Sequence, residues 1–131
     1  MVRRVAVFPA VLALAVTGVV AAGVATAEPP CSYTLSPPQV VQVSGASMVT
    51  ATVSPAGCTA PSNSHLSVAC LQVQGSDGPG ECANGLGLVT AQVYAPYRTG
   101  ATYISTGKGC ASTGNPPRSF CQVVGPTAAT L

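Results

Sequence analysis

Apolar and polar residues alternate along several short stretches of this 131-residue chain. In MVTATV (48–53) and LVTAQVY (88–94), every second residue is Val or Ala. Successive side chains of a β-strand point to opposite faces, so a period of two predicts a strand with one face on a core and the other in water. HLSVACLQVQ (65–74) is apolar on both faces and predicts a central strand.

Turn residues separate these stretches at close spacing. Gly and Pro recur every few residues, Val and Thr are abundant, and no long stripe of period 3.6 predicts a helix. Short strands with frequent turn signals are typical of an antiparallel sandwich of two sheets. We expect about seven strands, near residues 32–36, 39–44, 47–54, 65–74, 87–94, 101–106 and 119–125.

The first predicted hairpin has two candidate registers. A two-residue turn at Ser44-Gly45 places Cys31 opposite Cys58, but it mixes the apolar residues of the two strands between faces. A three-residue turn, 44–46, places Val41, Val43 and the apolar residues of 49–53 on one face. Because a slip of one residue exchanges the two faces, the coherent apolar face favours the three-residue turn. The break at Pro37-Pro38 leaves the register upstream of it undetermined.

The N-terminal 27 residues have the features of a secretory signal peptide. MVRR is basic, the run from Val5 to Ala25 is mostly apolar, and Ala25-Thr26-Ala27 fits a signal-peptidase site. An uncleaved membrane anchor is the alternative, since the run nearly reaches the 20 or so apolar residues that a bilayer span needs. The site at Ala27 favours cleavage, which leaves one domain, residues 28–131, outside the cell or in its envelope.

Loss of these 27 residues changes the charge balance. The remaining 104 residues carry three cations and three carboxylates, so their formal net charge is near zero. Nucleic-acid binding needs a clustered positive surface, and docking on anionic membranes needs a basic segment. We therefore expect neither a nucleic-acid partner nor a membrane partner after cleavage.

All six cysteines lie after residue 27. An even number of cysteines in an exported chain predicts disulfides. Pairing neighbours across turn-rich segments gives Cys70–Cys82 and Cys110–Cys121, and it leaves Cys31 with Cys58. Six cysteines allow fifteen connectivities, and spacing alone does not select the third bridge. With no Cys-x-x-Cys pair and a single histidine, we expect no metal and no cofactor.

The two cysteine segments resemble those of the neocarzinostatin-type apoproteins, small secreted actinobacterial proteins. VACLQVQGSDGPGECANG and KGCASTGNPPRSFCQVVGPT are similar to the two disulfide-closed loops of that family, and the chain as a whole is similar in composition to mycobacterial secreted proteins. The resemblance implies an immunoglobulin-like β-sandwich, stabilised by disulfides, with a cleft for a small apolar ligand. Cys31 and Cys58 have no counterpart in the family, and the second loop is longer here.

The inventory of catalytic residues is small. His65 is the only imidazole, the carboxylates after residue 28 are Asp77 and Glu81, and no Gly-x-Ser-x-Gly sequence occurs. Asp77 and Glu81 lie in GSDGPGE, where Asp and Gly are ordinary turn residues. We therefore expect a binding protein rather than an enzyme.

Three kinds of binding remain open. A small apolar ligand in a cleft would be lined by flat apolar rings, for which the candidates are Tyr94, Tyr97, Tyr103 and Phe120. A protein or envelope partner would meet exposed loops, above all the tip Pro116, Pro117, Arg118 and Ser119. The same tip, with Arg118 before Ser119 near Cys121, is also typical of a protease inhibitor that presents a rigid substrate-like loop.

Overall fold

A computed structural model describes Gly23 and residues 29–131 of the chain. The predicted signal peptide, residues 1–27, falls almost wholly outside these residues. The described part is built from strands in two antiparallel sheets, and it contains no helix. Accordingly, none of the described residues belongs to a helix that is long and apolar enough to cross a membrane.

The first sheet is organised around one long strand, β3 (Ala46–Cys58). One edge of β3 pairs with β6 (Ala91–Pro96). Its other edge pairs with β1 (Cys31–Leu35) near the end of β3 and with β2 (Gln39–Val43) near its start. Pro37 and Pro38 lie between β1 and β2, where proline cannot donate a ladder hydrogen bond. The two short strands thus act as one interrupted edge.

The second sheet contains four strands in the order β5, β4, β7, β8. β4 (Asn63–Val73) and β7 (Thr102–Thr113) lie in the middle, and β5 (Glu81–Leu86) and β8 (Arg118–Thr130) form the edges. The central position predicted for 65–74 is confirmed, because β4 pairs with a strand on each side.

The inner faces of the two sheets share one hydrophobic core. It is rich in small residues, and the largest of its fully buried side chains is that of Tyr103. Two glycines of β7 let the sheets come close: a side chain on Gly107 would collide with Val53, and one on Gly109 would collide with the ring of Tyr33. The buried members are Cys31, Tyr33, Val49, Ala51, Val53, Ala69, Leu71, Ala91, Val93, Ala95, Tyr103 and Ala111.

The predicted strands differ from the observed ones in the second half of the chain. There are eight strands rather than seven, because 81–86 forms β5. The strand predicted at 87–94 begins only at Ala91, after a turn. The segment between Cys110 and Cys121 is a hairpin rather than a loop, since β7 continues to Thr113 and β8 begins at Arg118.

The three-residue turn predicted for the first hairpin is wrong. Val43 pairs with Ala46 and Val41 with Met48, so the turn is the two residues Ser44-Gly45. Both have positive φ, 51° and 81°, as a type I′ turn requires. Val43 is 39% exposed, so this end of the hairpin projects beyond the core, and burial of an apolar face does not set its register.

The two disulfides predicted across turn-rich segments, Cys70–Cys82 and Cys110–Cys121, are confirmed, and the structure adds Cys31–Cys58, the bridge that spacing left open. Each joins two residues that lie directly opposite each other on adjacent antiparallel strands, with Cα–Cα distances of 4.0 to 4.1 Å. Every bridge therefore lies within one sheet, and none crosses the core. Three disulfides indicate an oxidising compartment.

Tyr103 ties the start of β7 to the segment before it. Its hydroxyl donates a hydrogen bond to the Pro96 carbonyl oxygen at 2.7 Å and accepts one from the Arg98 amide at 2.8 Å. The ring is fully buried between the sheets. These two hydrogen bonds give partners to the Pro96 carbonyl and the Arg98 amide, which lie where the chain leaves β6 and passes to the other sheet.

We expect Tyr103→Phe to lower the free energy of unfolding by about 1–3 kcal/mol, because it leaves backbone groups without a partner. Urea denaturation measures this. The matched control is Tyr94→Phe, whose side chain is 40% exposed, and the expected change there is within about 0.5 kcal/mol. Equal losses in the two variants would contradict the role given to the Tyr103 hydroxyl.

We expect Gly109→Ala to cost about 1–3 kcal/mol, since its methyl group needs the space that the Tyr33 ring fills. Gly57→Ala is the control, because no atom lies within 4 Å of a Cβ at that position. The same urea titration compares the two. If Gly109→Ala is as stable as Gly57→Ala, the sheets do not depend on this close approach.

Candidate functional site

The aromatic residues predicted to line a cleft do not come together. Tyr103 and Phe120 lie at opposite ends of the second sheet: Phe120 pairs with Ala111, eight residues from Tyr103 along β7, a distance of about 27 Å. Tyr94 lies on the outer face of the first sheet, because its neighbours Val93 and Ala95 are buried. Tyr97 packs against the core, and Tyr103 lies inside it, so neither offers an open ring face.

The predicted partner tip is the end of the β7–β8 hairpin. Pro116, Pro117, Arg118 and Ser119 are all exposed. Arg118 and Ser119 belong to β8 and pair with Thr113 and Ser112, so the bond between them is part of a ladder rather than of a free loop. This arrangement does not favour the substrate-like loop of a protease inhibitor, although the tip remains accessible.

The few residues with catalytic chemistry are dispersed. His65 lies at the irregularity of β4 beside Leu66, whereas Glu81 pairs with Leu71 at the other end of the β4–β5 hairpin. Five to six residues of strand separate these positions by about 20 Å. Asp77 is exposed in the connection between the two strands. Among residues 29–131, no three of His, Cys, Asp and Glu converge on a metal-sized site.

Sequence reasoning missed the outer face of the second sheet. Directly paired residues of antiparallel strands share a face, so the registers define rows across the sheet. One row contains Leu86, Leu66 and the Cys110–Cys121 bridge, and the next contains Asn84, Val68, Lys108 and Val123. The row after that contains the Cys70–Cys82 bridge and Thr106, and a fourth contains Gln72, Ile104 and Ala128. We call these four rows the apolar face.

Two observations establish that this face points away from the core. Gly107 and Gly109, which flank Lys108 along β7, point at Val53 and Tyr33 of the other sheet. Residues of the opposite parity, including Lys108, must therefore point outward. Leu86 and Val123 are 72% and 74% exposed, and Leu66 and Val68, which lie between them, are half-buried.

The apolar face contains few charged residues. Five aliphatic side chains and two disulfides share it with one charged residue, Lys108, and with the neutral residues Asn84, Gln72, Thr106 and Ala128. Three steps of about 4.8 Å across the strands and three of about 7 Å along them give an area of about 300 Å². The largest apolar patch on a monomeric protein is often functional, and this outline, although it includes four polar or charged residues, is of the corresponding size.

A separate cavity of about 320 Å³ opens at one end of the molecule. Its lining comes from the end of β3, the start of β4 and the exposed side chain of Leu88. Ser64 contributes a hydroxyl that accepts a hydrogen bond from Tyr33 at 3.0 Å. No charged residue lines this cavity.

No protein-family model, curated protein or solved structure matches this chain. The resemblance to neocarzinostatin-type proteins therefore stays a prediction.

We expect Arg118→Gln to change the free energy of unfolding by no more than about 0.5 kcal/mol, because the side chain is exposed and its strand is held by backbone pairing. Urea denaturation of the oxidised protein measures this. A loss above about 1 kcal/mol would assign the guanidinium a structural role and would remove the tip as a free interaction site.

Proposed function

We propose that the chain is a secreted, non-enzymatic binding protein of immunoglobulin-like fold that holds a small apolar ligand on its apolar face. The observation that carries this proposal is the exposure of Leu86 and Val123 at two edges of a face that contains aliphatic side chains, two disulfides and a single charged residue. Water in contact with such a face is released when an apolar ligand covers it, which favours binding.

The strand order supports an immunoglobulin-like assignment. A broken first strand, β3 and β6 form one sheet, and β5, β4, β7 and β8 form the other, as strands A, B, E and C′, C, F, G do in such domains. Tyr103 adds a second point of likeness. A tyrosine at the start of strand F that hydrogen-bonds to backbone a few residues upstream is a hallmark of the fold.

The size of the apolar face favours a small ligand over a protein partner. A standard protein–protein interface buries about 800 Å² on each side, whereas this face offers about 300 Å² of sheet. An envelope or protein partner would need further surface, for which the hairpin tip at 116–119 is the available extension. Export, indicated by the N-terminal 27 residues, agrees with the disulfides.

We expect the oxidised protein to bind the neutral fluorescent probe N-phenyl-1-naphthylamine saturably, and Val123→Asn to weaken this binding about tenfold. Burial of a Val side chain contributes roughly 1.5 kcal/mol, which is about a factor of ten in affinity. Fluorescence titration gives the dissociation constants. Because Val123 is 74% exposed, the substitution should leave folding intact.

Leu88→Asn is the matched control: Leu88 is 80% exposed but lies beyond the end of β5, off the apolar face. Its affinity for the probe should stay within about twofold of the unsubstituted protein. A loss in Leu88→Asn alone would place the probe at the cavity lined by Leu88, and equal losses in both variants would contradict a site confined to the apolar face. No saturable binding to the unsubstituted protein would overturn the proposal.

A further inference from the structure

The apolar face carries one charge, and that charge lies within it rather than at its rim. Lys108 belongs to an inner strand, β7, and its partners on either side are Val68 and Val123. Its neighbours at two residues along the strand, on the same face, are Thr106 and Cys110. The base of this exposed side chain is thus framed by two valines, a threonine and a disulfide.

No carboxylate of the described residues shares the four rows with Lys108. Glu81 pairs with Leu71, which is buried in the core, so Glu81 belongs to the opposite face of the sheet. Asp77 lies in the connection beyond the strands. The cation therefore has no built-in counter-charge on this face.

From this placement we infer that the ligand of the apolar face is a single amphiphile with one anionic group, of the fatty-acid type, whose head pairs with Lys108. This rests on the proposed function and narrows its ligand class. An apolar body lies across the aliphatic side chains and disulfides, and its carboxylate accepts a charge-assisted hydrogen bond from the ammonium group. Apolar surroundings strengthen that pair once the ligand excludes water.

The geometry also disfavours the other small apolar ligands. A neutral apolar ligand gains only the apolar contacts, because it offers the exposed ammonium group of Lys108 no charged partner. A cationic amphiphile would be repelled by the like charge of Lys108, and no carboxylate in the four rows compensates that repulsion. Lys108 therefore favours an anionic head group over a neutral or a cationic one.

The test compares three probes that share one apolar body: 11-(dansylamino)undecanoic acid, its methyl ester and the corresponding primary amine. The oxidised protein is titrated with each by fluorescence at low ionic strength. We expect the acid to bind about tenfold more tightly than the ester and the amine to bind more weakly than the ester. Added salt should weaken binding of the acid and leave the ester unchanged, because exposed charge pairs are screened.

Lys108→Gln should weaken binding of the acid about tenfold, which removes its preference over the ester. The affinity for the ester should stay within about twofold. Arg98→Gln is the matched control, since Arg98 is an exposed cation in the connection between β6 and β7. It should change neither affinity.

Equal affinities for acid and ester in the unsubstituted protein overturn the inference and leave the proposed function standing. The same holds if Lys108→Gln leaves the preference intact. If neither probe binds saturably, both the inference and the proposed function fail.

Discussion

The packing of the two sheets depends on two glycines on the inner face of β7. A side chain at Gly107 or Gly109 would need the space taken by Val53 and by the ring of Tyr33. Because these glycines have no Cβ, side chains of the first sheet reach the backbone of the second. This close approach fills the space that a core rich in Ala and Val would otherwise leave empty. Because side chains alternate along a strand, the register that places these glycines inward also places Lys108 outward. The same strand, β7, therefore contributes to both the core and the apolar face.

Much of this arrangement can be predicted from the sequence, and the failures have physical causes. Alternation located most strands, and neighbour pairing of cysteines gave the bridges Cys70–Cys82 and Cys110–Cys121 but left Cys31–Cys58 open. The register of the first hairpin was wrong because its end projects past the core, where the turn residues Ser44 and Gly45 decide the pairing instead of burial. Strand β5 was missed because ECANGL has little alternation and only one buried residue, Gly85.

The candidate site could not be predicted from the sequence, for a different reason. The apolar face combines residues of four strands, and no stretch of sequence contains more than a few of them. Knowing that Leu66 and Val68 point outward requires knowing that Ser67 and Ala69 point inward, and both parities of this strand contain apolar residues. Aromatic residues gave a misleading signal: Tyr103, the most buried of them, serves the corner between β6 and β7.

The placement of the disulfides has a consequence for how the chain matures. Cys70–Cys82 and Cys110–Cys121 each close a hairpin of adjacent strands, with sequence separations of 12 and 11 residues. Neither bridge requires the other sheet to be present, so each can be oxidised as soon as its own hairpin has emerged and paired. Docking of the two sheets can follow disulfide formation in these hairpins, because the pairing of their cysteines does not require contacts between the sheets.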